Sequence, residues 1–474
     1  MSIRRRAVAA AVLPVLAVSM ATAAVPAHAG PAPANTAQVQ VDLRDRLEAL
    51  PNVTVTSEEP APAPGYRFFL LTYRQLVDHT NPDGATFEQR FQLLHRAEDR
   101  PMVLHTTGYD MPEFAFRSEP AAILDANQIS VEQRFFTPSR PEPADWSTLN
   151  IWQAATDHHR IVQALERVYT ANWISTGASK GGMTSVYHRR YYPRDVDGVV
   201  AYVAPNDVHN KSDRAYDRFF ATVGATPECR TALKTLQREA LSRRTDLVNL
   251  YDDYAAANGL TFDRVFGSTD KAFEMTVLDV EWAFWQYSGE SACGAVPGPD
   301  ATDQEIFDFI DSVAGFSFYA DEGITPYAPY YYQAATQLGW PQPKFRYLKG
   351  LLRYPNLYVA NSSLPEELRS RHDAWPMTDV DHWVRRQASQ MLFVYGSNDP
   401  WGAEPFHPSD NDSYTYTAPG ANHGADIAAL APADRDAATA TLLRWGGVDS
   451  AAAARSARVN VLDQRDPRDI RRPL

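Results

Sequence analysis

The sequence predicts an α/β fold: a largely parallel sheet with helices on both faces and a helical cap inserted late in the chain. Three observations carry this reading. Strand-like and helix-like segments alternate over residues 67–203. Within that alternation an apolar stretch ending at Trp173 and Ile174 runs into Gly177-Ala178-Ser179-Lys180-Gly181, and a helical pattern follows. A long helical region over 208–386 then separates this block from a buried-strand pattern at 390–395.

Taken in order, the chain opens with Arg4, Arg5 and Arg6, an apolar stretch over 7–24, and the small-residue site Ala27-His28-Ala29. That layout predicts an export leader over 1–29, by either the general or the twin-arginine route. No later stretch is long and apolar enough to span a bilayer. Residues 30–65 are rich in Ala and Pro, with a short helical pattern over 41–50, and read as a propeptide or loosely attached arm. A first core block over 66–207 holds strand patterns at 67–72, 87–94, 102–106 and 129–135. It continues with a helical pattern over 147–168, the glycine-serine turn with its helix, and a strand over 198–203. Residues 208–386 change character. Leu233, Leu236, Leu241, Leu247, Leu250, Tyr251 and Tyr254 follow a roughly heptad-like spacing, so this stretch reads as a helical cap. The second core block, 387–474, resumes the sheet at 390–395 and 413–417, adds a helix over 432–446, and ends in a charged tail after Val459.

The chemistry lies in the turns. A G-x-S-x-G run between strand and helix has the form of a nucleophile elbow, in which a tight turn holds the serine in a strained conformation. Gly177 and Gly181 belong to it because a Cβ at either place would crowd the neighbouring strand and helix. Such a turn is common when taken alone. Asp399 follows the 390–395 pattern in Gly396-Ser397-Asn398-Asp399-Pro400-Trp401, and His423 lies in the loop after the 413–417 pattern. The order Ser179, Asp399, His423 is that of the α/β-hydrolase fold and differs from the orders on the chymotrypsin and subtilisin folds. Ser179 is therefore expected as nucleophile and His423 as the base that takes its proton and returns it to the leaving group. Asp399 is expected to fix the imidazole tautomer. An oxyanion needs two donors. The backbone N–H of Lys180 is one, and that of Gly108 or Tyr109, after the 102–106 strand, is the other.

Composition narrows the partners. The formal charge is −13 and becomes −16 when a leader carrying three arginines and no acid is removed. Such a chain is not built for nucleic acid or an anionic membrane surface, and it is compatible with substrates carrying a free amine. No cofactor and no metal is expected. His158 and His159 are adjacent on a helix and face different ways, and Ser409-Asp410-Asn411-Asp412 reads as a surface turn. The two cysteines, Cys229 and Cys293, predict a disulfide in an exported chain. It would close a loop of about 65 residues, contributing on the order of 4 kcal/mol in the chain-entropy model.

Several segments go beyond a generic hydrolase: 75–82 (Gln-Leu-Val-Asp-His-Thr-Asn-Pro), 87–91 (Phe-Glu-Gln-Arg-Phe), Glu132-Gln133-Arg134-Phe135-Phe136, Tyr332-Gln333 with Thr336-Gln337 and Gly339, Asn398-Asp399-Pro400-Trp401, and His423-Gly424-Ala425-Asp426. With them the chain resembles the secreted bacterial prolyl tri/tetrapeptidyl aminopeptidases, relatives of lysosomal prolyl carboxypeptidase and dipeptidyl peptidase. The resemblance covers about residues 66–445. Gln133 stands where the lysosomal relatives carry His, and Gln337 where they carry Glu. The resemblance implies an extracellular serine exopeptidase that releases tri- or tetrapeptides ending in proline from free N-termini. Such an enzyme needs an acid to pair the substrate amine and a shallow apolar pocket for the proline ring. Candidates for the acid are Glu281, Glu132 and Asp279, and for the pocket Trp401 and Tyr109. The structural alternatives are a solvated cap-helix charge at Glu281, a carboxylate paired with an arginine at Glu132, and ordinary core packing for the two aromatics. A monomer is expected. Two rival functions stay open: a secreted esterase or lipase with the same triad, and an inactive hydrolase-fold binding module.

Overall fold

β1 (Val53–Glu59), β2 (Arg67–Leu76) and β3 (Thr86–His95) form an antiparallel meander, with apolar residues of β2 turned alternately into the core. The computed structural model describes residues 41–61, 63–208, 210, 213–449 and 461–463. The expected leader, residues 30–40 of the arm and nearly all of the charged tail lie outside the described residues. β4 (Met102–Thr106), β5 (Asn127–Val131), β6 (Trp173–Ala178), β7 (Gly198–Tyr202), β8 (Met391–Gly396) and β9 (Tyr414–Ala418) complete one mixed sheet. Its order is β1-β2-β3-β5-β4-β6-β7-β8-β9. Every pair from β5 to β9 is parallel, and β5 joins the meander by an antiparallel pairing with β3. β4, β5, β7 and β8 are buried along their whole length, as strands covered on both faces must be.

Two helical layers cover the sheet. On one face α1 (Leu43–Glu48), α3 (Ile151–Leu165), α4 (Lys180–Tyr191) and α12 (Trp375–Arg386) pack against residues such as Phe91, Leu104, Val199 and Phe393. On the other, α2 (Glu119–Leu124) and α13 (Pro432–Trp445) pack on Val103, Ile174, Val200 and Leu392. Between β7 and β8 the chain forms the cap: α5 (Arg214–Thr222), α6 (Pro227–Ser242), α7 (Arg244–Asn258), α8 (Thr269–Ala283), α9 (Asp303–Ala314), α10 (Asp321–Ile324) and α11 (Ala328–Gln333). The cap has its own core of Leu233, Leu236, Leu247, Phe273, Phe307 and Phe316. A Cys229–Cys293 disulfide ties α6 to the turn after α8. α8 and α11 each run into a single π turn, at Phe284–Ser288 and Ala334–Leu338. Among the described residues no helix is long and apolar enough to cross a membrane.

Four expectations need correction. The cap expected over 208–386 ends before α12, which packs on the sheet through Met377, Val380 and Val384. The arm over 30–65 is not loose throughout: residues 43–48 are α1, and 53–59 are a full strand of the sheet, held because Val53 and Val55 are buried against it. The strand expected over 129–135 ends at Val131, because the buried Glu132 side chain turns away to bind Arg90 and Ser139. The helix expected from 147 starts at Ile151, where the Asn150 side chain caps it by accepting from the Gln153 N–H.

Candidate active site

Ser179 sits between β6 and α4 with φ 56° and ψ −126°, a strained left-handed conformation for a residue with a Cβ. Its N–H donates to the Tyr202 carbonyl (2.9 Å), which locks the turn to β7. The flanking glycines are obligatory on contact grounds. A Cβ at Gly177 would lie 2.5 Å from the Gly181 carbonyl carbon, and one at Gly181 would lie 2.4 Å from the Thr106 oxygen. α4 begins at Lys180, so the first N–H groups of that helix and its positive dipole end surround the serine.

The loop after β4 presses on the same turn. Gly108 has φ +73°, and a Cβ there would lie 2.5 Å from the Gly181 nitrogen. The Lys180 side chain is buried and its Nζ donates to the Gly108 carbonyl (2.5 Å). The next N–H, of Tyr109, donates to Thr107 Oγ1 (3.2 Å), so the Gly108–Tyr109 peptide is held at both ends. Of the two expected second donors, the Tyr109 N–H is thus engaged within its own loop.

Asp399 and His423 come together from the ends of β8 and β9. Asp399 Oδ2 lies 2.8 Å from His423 Nδ1, and Oδ1 accepts from the Trp401 N–H (3.1 Å). Both residues are buried. Nε2 of His423 is buried with no hydrogen-bond partner among the described residues. A carboxylate here accepts a hydrogen bond from Nδ1–H, which turns the unprotonated Nε2 toward the reaction. The cap reaches this loop through its π turn: the His423 N–H donates to the Gln286 carbonyl (3.2 Å), and Asn422 Nδ2 to that of Tyr287 (3.0 Å). A cavity of about 390 Å³ opens beside the imidazole, lined by Gly177, Ala178, Phe116, Glu119, Ala425 and Asp426 among others.

The remaining expected residues separate by partner. Glu132 is fully buried and held by Arg90 (2.5 and 3.1 Å), Ser139 Oγ (2.5 Å) and the Met111 N–H (3.2 Å). Glu281 faces Lys234 (3.7 Å) and Tyr347 (3.3 Å) across a cavity of about 90 Å³, and burial pushes its carboxyl up to about 7. Asp279 accepts from the phenols of Tyr319 (2.7 Å) and Tyr358 (2.9 Å), and burial raises it to about 7 as well. Trp401 packs edge-on to Trp282 (4.9 Å between centroids) and lies 6.4 Å from the His423 ring. Tyr109 packs on Phe136, Tyr330 and Tyr327. Gln337 caps α3, its Oε1 accepting from the Ile151 N–H (2.8 Å). The two adjacent histidines point apart: His158 Nδ1 contacts the Ala154 carbonyl, and His159 pairs with Asp195. Among the described residues no group of three or more His, Cys, Asp or Glu side chains could hold a metal ion. Asp207, absent from the sequence-based candidates, is buried five residues beyond β7, and among the described residues neither of its carboxylate oxygens is bonded.

Comparison with known proteins places the chain in a family. The sequence profile of the PS-10 peptidase S37 family matches residues 36–473. A prolyl tri/tetrapeptidyl aminopeptidase of Streptomyces mobaraensis is 51% identical over 440 residues, covering 91% of each chain. Among solved structures, a proline iminopeptidase of Mycobacterium smegmatis aligns with 82% of this chain and 99% of its own at 14% identity, with a TM-score of 0.37. A peroxisomal α/β-hydrolase of Saccharomyces cerevisiae aligns with 86% of this chain and 95% of its own at 10% identity, with a TM-score of 0.34.

Proposed function

Because the chain belongs to the PS-10 peptidase S37 family, we propose that it is a serine peptidase that releases tri- or tetrapeptides ending in proline from free N-termini. The observation that carries this reading is the His423 imidazole. Its Nδ1 is fixed by Asp399 and its Nε2 is left bare, in a chain 51% identical to an aminopeptidase of that specificity. In the reaction Nε2 takes the Ser179 Oγ proton as the oxygen attacks the carbonyl of the proline. The Lys180 and Gly108 N–H groups receive the oxyanion. Nε2 then hands the proton to the departing amine, and an acyl-enzyme remains. Water, deprotonated by the same nitrogen, releases the short peptide. Asp399 keeps the proton on Nδ1 throughout and steadies the imidazolium. Trp401, against the His423 ring, offers an apolar wall for the proline. The cap, bonded to the His423 loop at Gln286 and Tyr287, limits the length of chain that enters.

We read the enzyme as exported. The arginine-led leader motivates this, and the Cys229–Cys293 disulfide is of the kind that persists outside the cytosol. The test is cleavage of a mixed peptide library read by mass spectrometry. Products of three or four residues ending in proline, from unblocked N-termini only, are expected. Internal cleavage, or turnover of short acyl esters alone, would replace this reading with an endopeptidase or an esterase.

A further inference from the structure

The deeply buried carboxylates of this protein differ in how completely the chain itself satisfies them. Asp157 has Arg134 on both oxygens, Glu274 has Arg244, and Glu132 has Arg90. Glu281 faces Lys234, and Asp279 holds two phenols. Asp207 has none of these. It is 3% exposed, and among the described residues neither oxygen has a hydrogen-bond partner. Its described charged surroundings add acid rather than base. Burial first, then Asp213 and Glu404 within electrostatic reach, push the Asp207 carboxyl well above the usual range, while the Trp340 N–H acts the other way. That N–H gives its hydrogen bond to Asn210 (2.8 Å). The Tyr216 hydroxyl, which feels Asp207, Asp213, Glu404 and Asp399 together, is fully buried and also without a partner. A lone carboxylate is among the costliest groups to keep in an interior unless a cation or a proton joins it.

The place of this group relates it to the chemistry. Asp207 follows β7, the strand beside the nucleophile strand β6. It packs under the turn at Gly339, where a Cβ would lie 2.2 Å from its carbonyl oxygen. From the His423 ring a ladder of aromatic rings leads toward it: Trp401 at 6.4 Å, then Trp340 at 6.1 Å from Trp401. A second branch runs from Trp401 through Trp282 (4.9 Å) to Tyr216 (5.3 Å). Trp340, which follows the Gly339 turn packed on Asp207, is thus two ring contacts from the imidazole.

We infer that Asp207, backed by Asp213, Glu404 and the Tyr216 hydroxyl, is the anchor for the α-ammonium group of the substrate. This rests on the exopeptidase reading above. An ammonium group brings three donors and one positive charge, which suit two bare carboxylate oxygens and a phenol oxygen. Among the described residues no His, Cys, Asp or Glu cluster could hold a metal ion instead. The anchor also sets product length, because the amine must reach it while the carbonyl of the proline lies at Ser179.

The experiment compares kcat/KM for one proline-ended tripeptide anilide with its amine free and the same anilide N-acetylated, in the wild type and in Asp207→Asn. In the wild type the free amine is expected to be favoured on the order of 100-fold. In Asp207→Asn that advantage should collapse toward one, chiefly through loss on the free-amine substrate. Thermal stability should be kept or raised, since an unpaired buried charge is gone. A residue of merely structural importance would lower both substrates alike and leave the ratio standing. A wild-type ratio retained by a folded Asp207→Asn overturns the assignment while leaving the exopeptidase reading intact. A wild type that cleaves both substrates equally overturns both. If Asp207→Asn does not fold, Asp207→Ser carries the same expectation, and failure of both to fold marks Asp207 as a structural residue and ends the proposal.

Discussion

At the scale of single residues, the proposed chemistry depends on where one proton sits. Asp399→Asn keeps the shape of the carboxylate but presents an amide to His423 Nδ1. The imidazole is then held in the wrong tautomer, and kcat should fall by roughly 10⁴-fold with the fold retained. Ser179→Ala and His423→Ala should cost at least as much. Near-normal turnover in any folded variant of the three would remove the triad. Gly108→Ala tests the donor loop. Its Cβ would meet the Gly181 nitrogen at 2.5 Å, and its φ of +73° disfavours any side chain. The loop must back away from the oxyanion, and kcat should drop by about 100-fold or more with KM little changed, as read by steady-state kinetics. The three triad residues were legible because each follows a strand pattern and their types are few. The partners of the buried acids were not. Glu132 finds Arg90 at a distance of 42 residues, and Glu281 finds Lys234 on another helix, so only the folded chain reveals which acids are already neutralised. Asp207 was not singled out: its one sequence signal is an acid placed just beyond an apolar strand that neighbours the nucleophile strand.

At the scale of elements, periodicity announced most of the sheet and helices but blurred their ends. β4 is bounded where its apolar run is bounded, whereas β5 stops early because a tertiary contact at Glu132 overrides local strand propensity. β1 hid in a Pro- and Ala-rich stretch, since only Val53 and Val55 mark its buried side. The π turns at the ends of α8 and α11 left no readable mark, because one extra residue in a turn shifts the helical period without changing composition. The disulfide belongs to this scale. It closes a separation of 64 residues between α6 and the turn after α8. Cys229→Ser should lower the free energy of unfolding by roughly 2–5 kcal/mol, seen as a shifted midpoint in urea. An unshifted midpoint would mean that cap packing alone fixes these segments.

At the scale of the whole molecule, buried acids tie stability to pH. Asp279 titrates near 7 when folded because burial outweighs the two phenols that bind it, and near 4 in an unfolded chain. Between those values the folded form holds more protons, so stability falls as pH rises through the window. Glu281 and Glu404, each raised to about 7, act in the same direction, while His158, pushed down to about 4 by burial, acts in the opposite one. Asp279→Asn should therefore gain on the wild type as pH climbs from about 4 to 7, measured by urea midpoints at several pH values. Parallel curves for the two proteins would refute the shift. The insertion of the cap between two hydrogen-bonded strands also has a cost in time. β7 cannot pair with β8 until a gap of about 190 residues closes, and closing a flexible chain of that length costs about 5 kcal/mol of entropy. A cap that has already condensed on its own core shortens the open gap and brings the two strands nearer beforehand. The cap then serves as a splint for the sheet during refolding, and a protein whose cap is slow to form is one whose sheet is slow to close.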